Sequence, residues 1–242
     1  MAKPALSVRK SAVARAARVP APEPLTRERI VRAALELIDA EGLENCSMRR
    51  LGARLGVEAM ALYHHLAHKG ELLDGVMDCL LDEIDLPPRD AAPPMERLRR
   101  ALKSWRAVAI AHPRAYILLA GRRFNTERAF ALYEALLQAF ADLGLDAQQT
   151  ARWFRLLGCF ASGSGLAEVA SRERVPDATP LRLERQPDSI AFAHVRAVAP
   201  HLRIEALTEV FDFGLDVLFG QLSAQTGVAA PPRSAVRKSP HR

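Results

Sequence analysis

The stretch that decides the fold is residues 47–69, SMRRLGARLGVEAMALYHHLAHK, which has the pattern of two short helices joined by a tight turn. Ser47 is placed to cap the first helix by accepting a hydrogen bond from a backbone N–H. Gly56 follows where that helix must end in a left-handed residue. The apolar positions of the two helices are four residues apart, at Leu51, Leu55, Leu62 and Leu66. This spacing indicates a helix-turn-helix, in which the second helix lies in the major groove of DNA.

Helical patterns also flank this stretch. Thr26 can cap an upstream helix, and Gly42 can end it. The apolar residues of that helix share one face: Ile30, Ala33, Ala34, Leu37 and Ile38. Downstream, residues 69–86 predict a helix that two prolines stop. We therefore expect a three-helix, helix-turn-helix domain over residues 25–86, followed by a short linker.

The pattern stays helical to residue 225, and the sequence shows neither strand alternation nor an internal repeat. Thr126 and Asp146 can cap two further helices, and a long final helix is predicted over residues 201–225. The predicted fold class is therefore all-α. It combines the N-terminal three-helix domain with a larger C-terminal helical domain over residues 95–225.

Composition argues against several classes of protein. Apolar residues make up 49 % of the chain, yet no run of about 18 of them is free of polar breaks, so no membrane contact is predicted. The three cysteines are odd in number and far apart, which disfavours a disulfide framework and fits a reducing cytoplasm. The sequence contains no metal-ligand spacing, glycine-rich phosphate loop or Ser-His-Asp arrangement. We therefore expect no metal, no cofactor and no enzymatic activity.

The net charge of +6 is unevenly distributed. Residues 1–24 carry five basic side chains and one acidic, and residues 227–242 carry four basic and none acidic. Within the mildly acidic remainder, residues 46–70 carry four basic side chains against Glu58 alone, as phosphate binding requires. We expect disordered basic segments over residues 1–24 and 226–242. The first is either a solvated tail or an arm that grips DNA.

Residues 25–85 resemble the DNA-binding domain of the TetR family of transcriptional regulators. The most diagnostic part is Leu62-Tyr63-His64-His65, with Lys69 four residues later. The tetracycline repressor subclass is the most similar. The resemblance implies a homodimer that binds a pseudo-palindromic, double-stranded DNA operator, most simply as a repressor, and that a small-molecule effector releases. The residues expected at DNA are Ser47, Arg49, Arg50, Ala59, Met60, Ala61, Tyr63, His64 and Lys69.

The resemblance implies a separate role for several of these residues. It places Tyr63 and Lys69 at backbone phosphates. It places Arg49 at a base edge, where the two-pronged guanidinium suits guanine. Ala59 and Ala61 permit close approach and apolar contact with thymine methyl groups, but their side chains donate no hydrogen bond. Base specificity would then depend on Arg49 and on His64.

Other interpretations of this region stay open. Tyr63 can also be half-buried core, and His65 can be a packing residue. Arg50 and Arg54 can be solvated helix charges. Glu58 would repel phosphate, so we assign it to capping of the second helix.

The C-terminal half resembles the same subclass. In that family the last helix and the helix around residues 150–170 pair with those of a second copy in a four-helix bundle. The residues assigned to this dimer interface are Gly158, Ser162, Phe211, Leu215 and Phe219. The small residues among them can instead make close contacts within one chain.

The helices between are expected to enclose an apolar effector pocket. Its candidate lining residues are Trp105, Ile117, Leu118, Phe124, Trp153, Phe154, Leu157 and Phe160, each of which can equally be core. The subclass holds its antibiotic through magnesium, but Leu119 and Asp85 stand where that subclass has two histidines. We therefore expect a small apolar effector of another kind. Its binding would move the helix over residues 69–86, which joins the two domains.

Two rival functions are weighed against this one. An all-helical enzyme lacks support, because His112 and His201 are isolated beside prolines. A dimeric helical ligand-binding protein without DNA reading is the alternative. The presence of Arg49, Tyr63 and Lys69 together argues against it.

Overall fold

The computed structural model describes residues 24–121, 125–172, 192–202 and 206–231. Every regular element in these ranges is a helix, so the predicted all-α fold class is confirmed. The predicted basic arm before residue 24 and the part of the predicted tail after residue 231 lie outside the described residues, and so does the predicted pocket residue Phe124. Thr226, the first residue of the predicted tail, is instead the last residue of the final helix.

The described residues form an N-terminal group of helices, which we call the head, and a C-terminal group, which we call the body. The head has four helices over the range for which the sequence predicts a three-helix domain: α1 (Arg27–Glu41), α2 (Met48–Leu55), α3 (Ala59–Leu62) and α4 (Lys69–Asp82). The body helices are α5 (Pro94–Ala111), α6 (Ile117–Gly121), α7 (Glu127–Ala141), α8 (Ala147–Arg172), α9 (Ala193–Val198) and α10 (Leu207–Thr226). Short 3-10 turns occur at Leu43–Asn45 and Ala199–His201.

The caps of the first two helices are those that the sequence predicts. The Thr26 hydroxyl accepts a hydrogen bond from the Arg29 N–H at 3.2 Å, and the Ser47 hydroxyl accepts one from the Arg50 N–H at 3.3 Å. Gly56 ends α2 in the left-handed region, with φ of 71°. These caps fix where each short helix begins and ends, since N-terminal N–H groups otherwise lack partners.

Gly52 allows the turn after α2 to fold back against that helix. Its carbonyl accepts a hydrogen bond from the Val57 N–H at 2.9 Å. A Cβ atom at Gly52 would lie only 2.8 Å from the Val57 carbonyl oxygen and 3.2 Å from the Ala59 nitrogen. Backbone therefore meets backbone at this point, which sets the separation of α2 and α3.

The body is built around α5 and α8, with α7 and α10 packed beside them. Its buried apolar cluster is Met95, Leu98, Ala139, Phe140, Leu143, Leu145, Trp153, Leu157, Phe211, Leu215, Phe219 and Leu222. Thr126 and Asp146 cap α7 and α8 as predicted, by accepting hydrogen bonds from the Ala129 and Gln149 N–H groups.

Three arginines of α5 are buried in the body, and each has an acidic partner. Arg99 pairs with Asp216 of α10, and Arg106 pairs with Glu168 of α8 at 2.5 Å. Arg97 lies 3.7 Å from a carboxylate oxygen of Asp142, and it also donates to the Pro87 carbonyl at 2.9 Å. Burying a charge without a partner is costly, so these pairs fix how α5 sits against its neighbours.

The final helix begins later than the sequence predicts. The predicted helix starts at residue 201, whereas α10 starts at Leu207 and the 3-10 turn Ala199–His201 lies before it. The apolar residue that extended the pattern, Leu202, is 76 % exposed. An apolar side chain that does not join the core gives no packing support to a helix, so the pattern overestimates its length.

Head and body share one continuous apolar core. It runs from the head residues Ile30, Leu51 and Leu62 through α4 to Leu119 and Leu132 in the body. The division at residues 87–94 is therefore a boundary in sequence but not in packing. The domain limits given above stay predictions.

We predict that Gly52→Ala destabilises the protein by about 1–3 kcal/mol, because the new methyl group overlaps backbone that has no room to move. Helix propensity alone predicts the opposite sign, a gain of up to about 1 kcal/mol. Urea unfolding followed by circular dichroism measures the difference. A higher unfolding midpoint for the variant would contradict the close approach described above.

Candidate DNA-reading surface and effector cavity

Five residues of α2, α3, the turn after α3 and the start of α4 are exposed to solvent, and we call this set the reading surface: Arg49, Met60, Tyr63, His64 and Lys69. Met60 is 69 % exposed and Tyr63 is 43 % exposed. Beneath them, Leu62 and Leu66 are fully buried and anchor the segment. Exposure of a large apolar and an aromatic side chain on a basic face is typical of a surface that binds a partner. Because 43 % of Tyr63 is exposed, this residue lies at the surface rather than in the core.

The three arginines of α2 differ in their partners. Arg50 donates to the Asn45 side chain at 3.0 Å and pairs with Glu41 of α1. Arg54 pairs with Glu36, also on α1, at 3.1 Å. Among the described residues, Arg49 makes no hydrogen bond or ion pair, so its donors are available for a ligand. The contact predicted for Arg50 would require it to leave Glu41.

Lys69 occupies the first position of α4, where the helix dipole adds positive potential. The His68 ring accepts from the Glu71 N–H at 3.1 Å, and the Glu71 carboxylate accepts from the Ala67 N–H at 2.7 Å. These reciprocal bonds fix the start of α4 beside the reading surface. By contrast, Glu58 stands at the N-cap position of α3, but its side chain makes no capping hydrogen bond, so the capping role expected for it is not found.

The body contains a cavity of about 540 Å³ between α5, α7 and α8, which we call the body cavity. Its walls are mostly apolar and aromatic, and Ile84, just after α4, contributes to them. Of the predicted lining residues, Trp105, Phe154 and Leu157 line it. A cavity of this size and character matches the usual range for small-molecule sites.

Four of the predicted lining residues lie elsewhere. Ile117 is 51 % exposed and lines a cleft between α6 and the end of α1. Leu118 is buried in the shared core. Trp153 turns toward α10, where its indole N–H donates to Gln225 at 3.0 Å. Phe160 stacks on a ring of α10 at 5.3 Å.

Sequence reasoning missed lining residues on α5, α7 and α8, and those on α7 are Tyr133, Leu136, Leu137 and Phe140. They follow the i, i+3, i+4, i+7 spacing of one helix face. That spacing could have identified the face as apolar. It could not show that a cavity rather than another helix lies opposite.

The residues predicted for a dimer interface lie on inner faces. Phe211, Leu215 and Phe219 are at most 4 % exposed and pack inside the chain. Gly158 and Ser162 line the body cavity. The outer face of α10 carries the exposed apolar residues Val210, Phe213 and Val217, and Leu156 of α8 is also exposed. Both faces of α10 are apolar, and sequence spacing does not distinguish the inner one from the outer.

A histidine joins the head to the body. His112, at the end of α5, has its Nδ1 atom 2.7 Å from a carboxylate oxygen of Asp39 on α1. Its Nε2 atom is 2.8 Å from a carboxylate oxygen of Glu83, just after α4. Nearby, Arg114 donates to the carbonyls of Asp39 and Ala40. We call this group the His112 junction.

The charges around His112 favour its protonated form. Burial lowers the pKa of the imidazole, but the hydrogen bond to Asp39 and the negative charges of Asp39 and Glu83 outweigh burial and raise the pKa above its ordinary value. A doubly protonated ring donates to both carboxylates at once. The junction is therefore an ionic connection between α1, α4 and α5.

Comparison with known protein families identifies both halves of the chain. Residues 30–76 match the bacterial regulatory proteins of the tetR family, and residues 88–225 match the tetracyclin repressor-like C-terminal domain. The second match alone covers more than half of the chain. This chain belongs to the TetR family. Its class is therefore that of a DNA-binding transcriptional regulator, as the sequence predicts.

Individual TetR-family relatives are similar over most of the chain. The tetracycline repressor protein class G of Vibrio anguillarum is 30 % identical over 80 % of this chain and 91 % of its own length. An HTH-type transcriptional regulator of Saccharopolyspora erythraea is 30 % identical over 62 % of this chain, and the match covers 64 % of that protein, just under two thirds. Among solved structures, ActR of Streptomyces coelicolor in complex with actinorhodin gives a TM-score of 0.69 at 27 % identity, covering 85 % of this chain and all of that one.

Neither a metal-binding cluster nor a membrane-spanning helix is found in the part of the chain that the structure describes. It contains no cluster of three or more histidine, cysteine or acidic residues able to hold a metal ion. Within the same ranges, no helix has the length and apolar character needed to cross a membrane. Leu119 lines the body cavity with an apolar side chain.

We predict that His112→Gln destabilises the protein more at pH 6 than at pH 9. Because the folded-state pKa is raised, the stabilisation is complete below the unfolded-state pKa of about 6.5 and is lost as pH rises through the folded-state value. The free energy of unfolding of both proteins, measured by urea titration at several pH values and one protein concentration, gives this difference. His194→Gln, at an exposed position, is the matched control. A difference that does not change with pH would contradict the ionic role.

Proposed function

We propose that this chain is a homodimeric repressor that binds a pseudo-palindromic DNA operator and is released by a small apolar effector. The observation that carries the proposal is the path of one segment. It begins at Lys69 in the reading surface, runs through α4, and reaches the body cavity at Ile84. The same segment thus meets both the surface that would bind DNA and the cavity that would bind the effector. A cytoplasmic location follows from this role and stays a prediction.

The reading surface supplies the two kinds of contact that operator binding needs. Arg49 has unused donors in a fork that fits the O6 and N7 atoms of guanine, a pairing worth about 1–3 kcal/mol in base discrimination. Lys69, Tyr63 and the N-terminus of α4 suit backbone phosphates, which fix position without reading sequence. Ser47 and the small residues Ala59 and Ala61 permit close approach of the backbone.

Pairing of two copies would bring two reading surfaces to one operator. The outer apolar face formed by Val210, Phe213, Val217 and Leu156 supports such pairing, because exposed apolar residues on adjacent helices favour association. Two helix-turn-helix units bind well when successive major grooves, about 34–36 Å apart, are presented together. The residues predicted from the sequence on α10, Phe211, Leu215 and Phe219, are buried within the chain, so the proposal rests on the exposed residues instead.

The effector would act by shifting a population between two settings of the head. A molecule in the body cavity contacts Ile84, next to Glu83 of the His112 junction. A displacement there moves the end of α4 relative to α5, and so changes the position of Lys69 at the opposite end. Coupling of this kind is typically worth about 1–3 kcal/mol. The relatives named as repressors, and the ActR complex with actinorhodin, support a ligand-controlled regulator.

The rival function, a ligand-binding dimer without DNA reading, receives no support from the described residues. Arg49 is unpaired, Tyr63 is exposed and Lys69 heads α4, as DNA contact requires. The apolar lining of the body cavity also fits an effector that is not held through magnesium.

We predict that Arg49→Ala and Lys69→Ala weaken operator binding in different ways. With an inverted-repeat duplex selected by the protein from a random pool, Arg49→Ala should cost about 1–3 kcal/mol and relax base preference at one position per half-site. Lys69→Ala should weaken binding to all duplexes and lower the salt dependence by about one ion per subunit. Fluorescence anisotropy at several salt concentrations measures both effects.

The control for this experiment is Arg152→Ala, which removes an exposed arginine on α8 that belongs to neither the reading surface nor the body cavity. It should bind the operator like the parent protein. If all three variants bound equally well, the DNA contacts assigned here would be wrong.

We predict that Phe213→Glu, a change of a residue 69 % exposed on α10, prevents dimer formation. Interface aromatics commonly contribute 2 kcal/mol or more, so the dimer dissociation constant should rise at least about 30-fold. Phe130→Glu, at a residue 60 % exposed on α7, is the matched control and should leave the dimer intact. Sedimentation velocity at micromolar concentrations separates the two. A dimer unaffected by Phe213→Glu would place the interface elsewhere.

A further inference from the structure

Among the described residues that line the body cavity, the charged side chains are of one sign, positive. Its described lining residues include no aspartate, glutamate, lysine or histidine, and one arginine, Arg155. Arg155 lies on α8 between Phe154 and Gly158, which also line the cavity. A Cβ atom at Gly158 would meet nothing within 4 Å, so the space beside the arginine is open.

The charge of Arg155 has no partner within the described residues, where it forms neither a hydrogen bond nor an ion pair. The three buried arginines of the body, Arg97, Arg99 and Arg106, all face an acidic residue. Each arginine that is buried between the helices of the body therefore has an acidic partner. Arg155 is instead an exposed side chain that lines the cavity, and its donors are free to meet a ligand there.

The rest of the cavity suits flat rings. Tyr133 and Phe154 meet edge to face, with ring centroids 5.4 Å apart and planes at 87°. Trp105 and Phe140 add two further aromatic walls from α5 and α7. Aromatic walls favour planar apolar molecules, which can stack on a ring face or meet its edge.

We infer that the body cavity selects an anionic aromatic molecule, whose ring system lies between the aromatic walls and whose acidic group, a carboxylate or sulfonate, pairs with Arg155. A guanidinium binds such groups through two parallel N–H···O bonds, which a neutral molecule of the same shape cannot form. The absence of acidic lining residues in the described ranges acts in the same direction, since nothing there repels the anion. This inference rests on the proposed function only in taking the cavity as the effector site, and it adds an acidic group to the largely apolar effector proposed above.

A pair of fluorescent probes of matched shape tests the inference without DNA. The anionic probe is 8-anilinonaphthalene-1-sulfonate, and the neutral probe is N-phenyl-1-naphthylamine, which has the same rings and no sulfonate. Fluorescence titration of the full chain with each probe gives the two dissociation constants. Arg155→Gln should weaken binding of the anionic probe by roughly three- to tenfold and leave binding of the neutral probe unchanged. The matched control, Arg152→Gln, should change neither.

A cavity-filling variant shows where the probes bind. Gly158→Leu places a side chain in the open space beside Arg155 and should abolish binding of both probes, while circular dichroism confirms that the fold is kept. Anionic-probe binding that survives this change would place the probe elsewhere on the protein and overturn the inference.

Three other results would also overturn it. One is equal weakening of both probes by Arg155→Gln, which would mean that the arginine only shapes the cavity. Another is no change for either probe. The last is failure of the parent protein to bind the anionic probe at about 100 µM. Operator binding by the parent protein, measured separately, would be unaffected by any of these results, so the proposed function could stand while this inference fails.

Discussion

Helix α4 packs against the head on one side and against the body on the other, and the rest of the structure depends on this double contact. Its residues Leu72, Val76, Met77 and Leu80 are fully buried, although the helix begins at the protein surface. On the head side, α4 approaches α1 so closely that a Cβ atom at Gly75 would lie 2.7 Å from a methyl group of Val31. An α4 that moves must therefore carry α1 with it.

On the body side, α4 is held by polar contacts. The Thr126 hydroxyl meets Asp78 at 2.5 Å, and Arg128 pairs with Asp82. Beyond the helix end, Arg100 pairs with Asp85 at 2.8 Å through exposed side chains. Exposed pairs contribute little stability each, so these contacts set orientation more than they hold the domains together. The polar contacts around the shared apolar core are individually weak and separable, so they can rearrange at low cost when a ligand favours a second arrangement.

Much of the head could be predicted from the sequence because its structure is specified locally. A cap such as Ser47 acts within three residues, and a left-handed glycine such as Gly56 acts at one position. The apolar spacing of α1 needs only one partner surface. The reading surface is also specified locally, because Tyr63 and Lys69 lie one and three residues along the chain from the buried residues Leu62 and Leu66. The expected cap at Glu58 is not found: helix α3 is a single turn, and the carboxylate makes no capping bond to its backbone.

The sequence by itself determined the all-α class, the helix-turn-helix, the caps and the positive face of the head. Only the tertiary structure decided which face of each body helix is inside. Phe211 and Phe213 are both apolar and two residues apart on α10, yet one is 4 % and the other 69 % exposed. It likewise decided that Trp153 faces α10 whereas Phe154 faces the body cavity. The physical reason is that capping and periodicity are properties of one helix, whereas the rotation of a helix depends on all the helices that contact it.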